Sequence, residues 1–333
     1  MNYGKQLLLF TCILFSSLFI KNVLADAESP HIKKISFIDL SSSPKAFLIY
    51  DELLGLKERP GSFQFEQIHV VYMWAAWGGS TLNTGTGNVN DKRPVKNYSD
   101  LPPLDYLSNN GYLDDAGMQQ QGGYGDTAGL TKDYNGLIAV DFESWPRFDS
   151  KDFKAAKQGA LTVPSKTMLE TMEKISMTIN VLKEAYPNAK IGWYDLTGGY
   201  PVSGFPNVND QTLAAWEKIN DLYADIIEKI DVLMPSLYVS RTRGDRKTRL
   251  SFDDYLKKIE MIIAEQRRLA PNKPVIAFVS PHIMDEYPQL LPLNEWETAI
   301  EQYKALLDGV VLWSKHKPKF SHAEMKPYID LLR

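Results

Sequence analysis

The stretch GLIAVDFESWPRF, residues 136–148, joins a short apolar run to two closely spaced carboxylates. An apolar run of this length is typical of a strand that is buried on both faces. Asp141 and Glu143 stand at its end, where the middle of a sheet would not normally hold two charges. The stretch therefore predicts a buried strand whose carboxyl end has a chemical role.

Similar runs recur along the chain at intervals that leave room for helices. They are residues 35–40 (a candidate outer strand), 46–50, 68–74, 190–196, 231–239, 274–280 and 309–314. Apolar residues at three- and four-residue steps predict helices over 167–186, 210–230 and 251–270, the last with Ser251 as N-cap. Alternating strands and helices favour parallel strands with helices outside.

Seven such strands over about 270 residues predict an α/β fold of the closed (β/α) type, a TIM-like barrel, across residues 46–333. An open doubly wound sheet is the alternative, but the first strand-to-helix turn lacks its glycine-rich phosphate-binding sequence. Residues 78–132 interrupt the alternation and are rich in Gly, Asn, Asp and Tyr. We predict a loop insertion there that builds a wall of the site, with a surface insertion as the alternative.

The first 25 residues have the pattern of a secretory signal peptide, followed by an N-terminal extension at 26–45. Lys5 precedes an apolar run at 7–20, and Ala25 ends a small-residue cleavage site. The single cysteine, Cys12, lies in the signal, so the mature chain would have no disulfide. This favours a bacterial protein, secreted or periplasmic, without stable membrane insertion after cleavage; an uncleaved anchor is the alternative.

The charge of the chain is mildly acidic, −4 at pH 7, and loss of Lys5 and Lys21 with the signal would change it to −6. This balance does not predict nucleic-acid binding. Residues 241–249, RTRGDRKTR, are locally basic. Arg241 and Arg243 are therefore predicted either to attract an anionic polymer to the site or to lie in a solvated loop.

The predicted strand ends carry carboxylates and aromatic side chains. In a (β/α) barrel the active site lies at these ends, and residues two apart on a strand face the same side. Asp141 and Glu143 would thus project together into the barrel mouth. The later strand ends contribute Tyr194, Asp195, Tyr238, Ser280, His282 and Trp313.

Such a set of side chains predicts a glycosidase. Aromatic rings stack on sugar C–H surfaces, and a desolvated carboxyl beside a second carboxylate has a raised pKa and can donate a proton. The alternatives are that Asp141 caps a helix, that Glu143 pairs with Arg147, and that the aromatic residues belong to the core. No second His or Cys stands near His282 at ligand spacing, so we expect no metal and no other cofactor.

Four motifs resemble the hyaluronidase family, in the family's order, over about residues 46–315. AVDFESWPR (139–147) is similar to its AVIDWEEWRP signature, and IGWYDL (191–196) to its W-G-[FY]-Y strand. MPSLYVS (234–240) resembles its P-S-[IV]-Y strand, and GVVLWS (309–314) its G-[VA]-[IV]-[LI]-W strand. The chain thus resembles a distant and bacterial member of this family.

This resemblance implies a distorted seven-stranded barrel that hydrolyses β-N-acetylhexosaminide bonds with retention. In the family the N-acetyl carbonyl of the substrate attacks the anomeric carbon, in place of an enzyme nucleophile. Glu143 would be the general acid, Asp141 would orient the acetamido group, and Tyr238 would hydrogen-bond its oxygen. Tyr194 and Trp313 would enclose the N-acetyl group, with Asp195, Arg241 and Arg243 as further contacts to the glycan.

The sequence departs from the family pattern at Phe142, Ser144 and Pro146, and it lacks the family's disulfides. The mechanism is therefore implied more directly than the substrate, which in the family is hyaluronan or chondroitin; here an anionic polysaccharide is one candidate. Two alternatives remain. One is a glycan-binding barrel without turnover, and the other is a two-carboxylate glycosidase in which Asp195 is the partner of Glu143.

Overall fold

A computed structural model describes residues 46–53, 66, 68–72, 133–141, 145, 147–198, 208–241, 250–315 and 320–332. All of these belong to one compact unit, Ala46–Arg333. The predicted signal peptide, the N-terminal extension, the outer strand and the loop insertion at 78–132 lie outside the described residues. Those four assignments therefore stay predictions.

Strands and helices alternate along the described part of the chain. The strands are β1 (Leu48–Leu53), β2 (Ile68–Tyr72), β3 (Leu137–Asp141), β4 (Lys190–Tyr194), β5 (Val232–Met234), β6 (Ile276–Val279) and β7 (Gly309–Ser314). The helices are α1 (Ser150–Lys157), α2 (Lys166–Ala185), α3 (Asp210–Leu222), α4 (Ala224–Lys229), α5 (Phe252–Leu269), α6 (Leu293–Leu306) and α7 (His322–Asp330). None of these helices is long and apolar enough to cross a membrane.

The strands form two sheets in which every pairing is parallel. One sheet has the order β2-β3-β4-β5 and the other the order β1-β7-β6. Isolated parallel bridges join the edge strands of the two sheets: Tyr50 of β1 to Glu66, and Leu233 of β5 to Val275. The predicted α/β class with parallel strands is confirmed.

Side chains on alternate positions of the strands enter two different clusters. The strand cluster contains side chains from both sheets: Tyr50, Leu137, Ala139, Val232, Met234, Ile276, Phe278 and Val311. The intervening side chains, such as Ile138 and Val140 of β3, pack with residues of the helices. Both faces of β3 are therefore covered, which explains why its sequence is an unbroken apolar run.

Two sequence predictions need correction. The strand predicted over 231–239 ends at Met234, because Pro235 has no N–H with which to continue the pairing, and only isolated bridges follow at Ser236 and Val239. The helix predicted over 210–230 is interrupted at Tyr223, whose N–H bonds Asn220 O three residues back.

The starts of the helices agree with their capping residues. Ser251 caps α5 as predicted, accepting a hydrogen bond from the Asp254 N–H at 3.0 Å, and the Asp254 side chain bonds the cap in return. Ser165 caps α2 and Asn209 caps α3 by accepting from the N–H of Met168 and of Thr212, without the reciprocal bond. The caps Asn209 and Ser251 mark where the connections that follow β4 and β5 become helical.

Candidate functional site

Asp141 is the last residue of β3 and lies on the side of the strand that carries Leu137 and Ala139. Because side chains alternate along a strand, its partly buried carboxyl group faces the strand cluster. Its backbone is aligned with Tyr72 of β2. Glu143, the predicted general acid, lies outside the described residues, so its position beside Asp141 stays a prediction.

Three predicted aromatic residues lie in mutual contact. Tyr194 ends β4, Tyr238 follows β5 by four residues, and Trp313 lies near the end of β7. The ring centroids of Tyr194 and Tyr238 are 6.5 Å apart, and those of Tyr238 and Trp313 are 5.2 Å apart. All three side chains are partly buried and pack on the strand cluster. We call them the aromatic triad.

The contacts below the triad explain its arrangement. The ring of Tyr194 meets Phe278 of the strand cluster edge-on, with centroids 4.9 Å apart. The triad is thus supported from below by apolar side chains and remains partly exposed. Partly exposed rings next to a carboxyl group can stack on a sugar ring while the carboxyl group bonds its polar substituents. Whether these residues contact a glycan stays a prediction.

Asp195 follows Tyr194 directly and is held by the neighbouring strand. Its N–H donates to Met234 O at 2.8 Å, and its Oδ1 accepts from the Ser236 N–H at 3.2 Å. Its φ of 49° lies in the left-handed region, which residues other than glycine seldom adopt. The carboxylate of Asp195 is therefore used within the protein; its predicted contact with substrate remains untested.

Two cations lie near Asp195. Arg147 donates from Nη1 to Leu196 O, and its own carbonyl accepts from the Tyr223 hydroxyl at 2.5 Å. Burial lowers the pKa of Arg147 and of Lys258, and in both cases the charge of Asp195 opposes that effect. Sequence reasoning considered Arg147 only as a partner of Glu143, and it missed Lys258, which had no signal because it stands on an ordinary amphipathic helix, α5.

Arg241 is neutralised by a carboxylate of helix α6. Its Nη2 lies 2.6 Å from Glu295 Oε2, and its N–H donates to Asp285 Oδ1 at 2.9 Å. Both side chains of the ion pair are about four-fifths buried, with 21% and 22% exposed. Arg243 and the rest of the basic segment up to Arg249 lie outside the described residues. Attraction of an anionic polymer by this segment stays a prediction.

Ser280 and His282 are buried rather than exposed at the strand ends. The Oγ of Ser280 lies 3.2 Å from Nδ1 of His282, and the imidazole packs against Tyr287 and Phe320, which also contact each other. Burial lowers the pKa of His282 to about 4, with the charge of Lys315 as the second cause. Within the described ranges, no group of three His, Cys, Asp or Glu side chains is arranged to hold a metal ion.

Comparisons with known proteins give matches among solved structures alone. No protein-family model and no curated protein matches the chain, whereas fourteen chains of solved structures do. They include a monoclinic crystal structure of bee venom hyaluronidase, with 18% identity and a TM-score of 0.48, over 81% of this chain and 91% of that chain. A structure of bee venom hyaluronidase in complex with a hyaluronic acid tetramer has 15% identity and a TM-score of 0.47, over 86% and 93% of the two chains.

Proposed function

We propose that this protein is a hyaluronidase-like glycoside hydrolase that cleaves β-N-acetylhexosaminide bonds of a glycosaminoglycan or a related glycan. The observation that supports this most directly is the aromatic triad, whose rings lie at the end of β4, near the end of β7 and in the segment after β5. Asp141 ends β3 on the side that faces the strand cluster. Aromatic rings can stack on a sugar, and carboxyl groups supply the acid–base chemistry of glycoside hydrolysis. The four motifs that resemble the hyaluronidases support the same activity.

The fold that we propose is a closed, distorted barrel of β1 to β7. Its support is twofold: the parallel bridges from Tyr50 to Glu66 and from Leu233 to Val275 join the edges of the two sheets, and both sheets contribute to one strand cluster. Closure brings the carboxyl ends of all the strands to one mouth, which is where barrel enzymes have their active sites.

In the proposed mechanism Glu143 protonates the glycosidic oxygen, and the leaving sugar departs. The carbonyl oxygen of the substrate's own acetamido group forms the new bond to the anomeric carbon, while Asp141 orients that group. Water then attacks the same carbon, gives its proton to Glu143 and releases the acetamido oxygen. Two inversions at one carbon give retention, and no metal or other cofactor takes part.

The role of Asp195 bears on the two-carboxylate alternative. A nucleophilic carboxylate must reach the anomeric carbon, whereas Oδ1 of Asp195 accepts the Ser236 N–H and its charge lies beside Arg147. This geometry favours the substrate-assisted mechanism. We also propose that the protein acts outside the cytoplasm, because the first 25 residues have the pattern of a secretory signal.

The decisive experiment compares the wild-type protein with Glu143→Gln on hyaluronan, chondroitin and chitin oligomers, with products identified by mass spectrometry. We expect the variant to lose about 1000-fold or more in kcat while KM and the unfolding temperature stay unchanged. Glu297→Gln, at an exposed position of α6, is the matched control.

Three outcomes separate the alternatives. Full activity of Glu143→Gln contradicts the assignment. Glycan binding by the wild type without turnover on any substrate indicates a non-catalytic binding protein. Cleavage of a de-N-acetylated oligomer at the rate of its acetylated form would exclude catalysis by the acetamido group and favour two carboxylates.

A further inference from the structure

The carboxylate of Asp195 connects two strand ends that carry aromatic residues of the triad. Its Oδ1 accepts from the Ser236 N–H at 3.2 Å, and Ser236 precedes Tyr238 by two residues. Its own N–H donates to Met234 O at 2.8 Å, and Tyr194 is the preceding residue. The chain segments that bear Tyr194 and Tyr238 are thus joined by both the backbone and the side chain of Asp195.

Arg147 connects the segment around Asp195, after β4, to the end of β3. Its Nη1 donates to Leu196 O, which lies in the connection after β4, and the Tyr223 hydroxyl donates to Arg147 O at 2.5 Å. Arg147 itself lies in the connection that begins after Asp141. Arg147 is partly buried, and a cation withdrawn from water is tolerated only where an opposite charge and hydrogen bonds compensate it. The carboxylate of Asp195 supplies that charge.

Gly198 shows how closely the two charged groups approach. A Cβ at this position would lie 2.7 Å from Nη2 of Arg147 and 2.9 Å from Oδ2 of Asp195. Both groups therefore converge on the space that a larger residue would occupy. A Cβ would also lie 2.9 Å from the backbone carbonyl oxygen of Asp195, so a larger residue would force these groups to shift.

The backbone of Asp195 is a second sign of constraint. Its φ of 49° is a conformation that a residue with a side chain keeps only where the surrounding contacts impose it. Lys258 lies on α5, the helix after β5, and the charge of Asp195 opposes the lowering of its pKa by burial. Residues from the connections after β3 and after β5 thus interact with one carboxylate, which itself lies in the connection after β4.

We propose that Asp195 is a positioning residue that, with Arg147, holds the ends of β3, β4 and β5 together and so sets the spacing of Tyr194 and Tyr238. The inference rests on the proposed function, and it assigns Asp195 a role within the protein in place of a contact with substrate. Asp195 acts on the reaction through the residues it positions.

The kinetic test uses Asp195→Asn, Arg147→Met and the double variant, assayed on the glycan that the wild type cleaves. We expect each single variant to lose about 10- to 100-fold in kcat, with KM changed less than about threefold, because misplaced groups slow the reaction more than they weaken binding. The double variant should be no slower than the slower single variant, since both substitutions remove the same Asp195–Arg147 interaction.

Two further variants define the controls. Arg147→Lys keeps the positive charge and should recover part of the lost kcat. Asp221→Asn removes a carboxylate of α3 whose Oδ1 lies 2.7 Å from Nη1 of Arg268 on α5, and it should leave kcat unchanged. A rise in KM alone for Asp195→Asn, additive with Arg147→Met, would overturn the proposal in favour of direct substrate contact.

A measurement that needs no turnover tests the connection itself. We expect Asp195→Ala to accelerate amide hydrogen exchange over residues 232–240, at Ser236 above all, while Asp221→Asn does not. Circular dichroism at the same temperature checks that the variants are folded, and Asp195→Asn replaces Asp195→Ala if the latter is not. Unchanged exchange overturns the proposal. If the wild type cleaves none of the glycans, the proposed function fails and this measurement alone decides the role of Asp195.

Discussion

Lowering the pH from 7 to 4 is expected to destabilise the protein through His282. Its ring is fully buried, with centroids 4.9 Å from Tyr287 and 4.5 Å from Phe320. Its Nδ1 lies 3.2 Å from the Ser280 hydroxyl, and its Nε2 has no hydrogen-bond partner in the described part of the chain. Burial first, and the charge of Lys315 second, lower the pKa of His282 from 6.5 to about 4.

The direction of the effect follows from where the proton binds. In the unfolded chain a histidine has a pKa of about 6.5. Between pH 6.5 and pH 4 the unfolded chain binds a proton that the folded protein does not. The free energy of unfolding therefore decreases as the pH is lowered through that window. Relative to pH 7, the linkage relation gives a loss of about 2 kcal/mol at pH 5 and about 3 kcal/mol at pH 4.

The assay is urea unfolding between pH 4 and pH 7, followed by circular dichroism, on the wild type and on His282→Phe. Phenylalanine keeps an aromatic ring in the same space without a titratable group. The wild-type free energy of unfolding, minus that of the variant, should fall by about 3 kcal/mol from pH 7 to pH 4.

A second pair of variants tests the assigned causes. Lys315→Met should reduce the fall, because it removes a charge that disfavours protonation of His282. Lys304→Met on α6, whose ammonium donates to Leu331 O at 3.1 Å, is the matched control. A difference between wild type and His282→Phe that stays constant within about 0.5 kcal/mol, near the error of the extrapolation, would refute the reasoning.

Three further substitutions test the packing and the site. Gly192→Ala should cost about 1–3 kcal/mol in urea unfolding, because the new Cβ would collide with Met234; unchanged stability would contradict this close approach. Glu265→Ala should cost about 3 kcal/mol in the same assay. This is the low end of the range for breaking a buried ion pair, because the Arg268 side chain is 42% exposed. A loss under about 1 kcal/mol would show that the pair does not contribute to stability as a buried one. Trp313→Ala should weaken binding of N-acetylated tetrasaccharides about 10-fold in calorimetry, and equal affinity would remove it from the site.

The strands were predictable because their evidence is local. Every residue of LIAVD up to the aspartate is apolar, and only burial on both faces makes such a run favourable. Pattern alone overextended the strand at 231–239, because its apolar residues continue past Pro235 while the hydrogen bonding does not. The capping of α5 by Ser251 was likewise predictable from the sequence, because a capping residue and its hydrogen-bond partner are only three residues apart.

The aromatic triad was predictable in part. Tyr194, Tyr238 and Trp313 each stand at or just beyond a strand whose run is visible in the sequence, and parallel strands bring such positions to one edge. Their contact distances come from the packing of both sheets on one strand cluster, which no local pattern encodes.

The sequence by itself determined the α/β alternation, the approximate positions of the strands and the residue types near their carboxyl ends, because periodicity and capping depend on neighbours along the chain. Only the tertiary structure decided which charges are compensated and which groups are buried. Arg241 meets Glu295, Asp195 meets the Ser236 N–H and the charge of Arg147, and His282 packs against Phe320. Each of these depends on groups at least 38 residues apart in sequence, and the energy of a charge depends on what surrounds it in space.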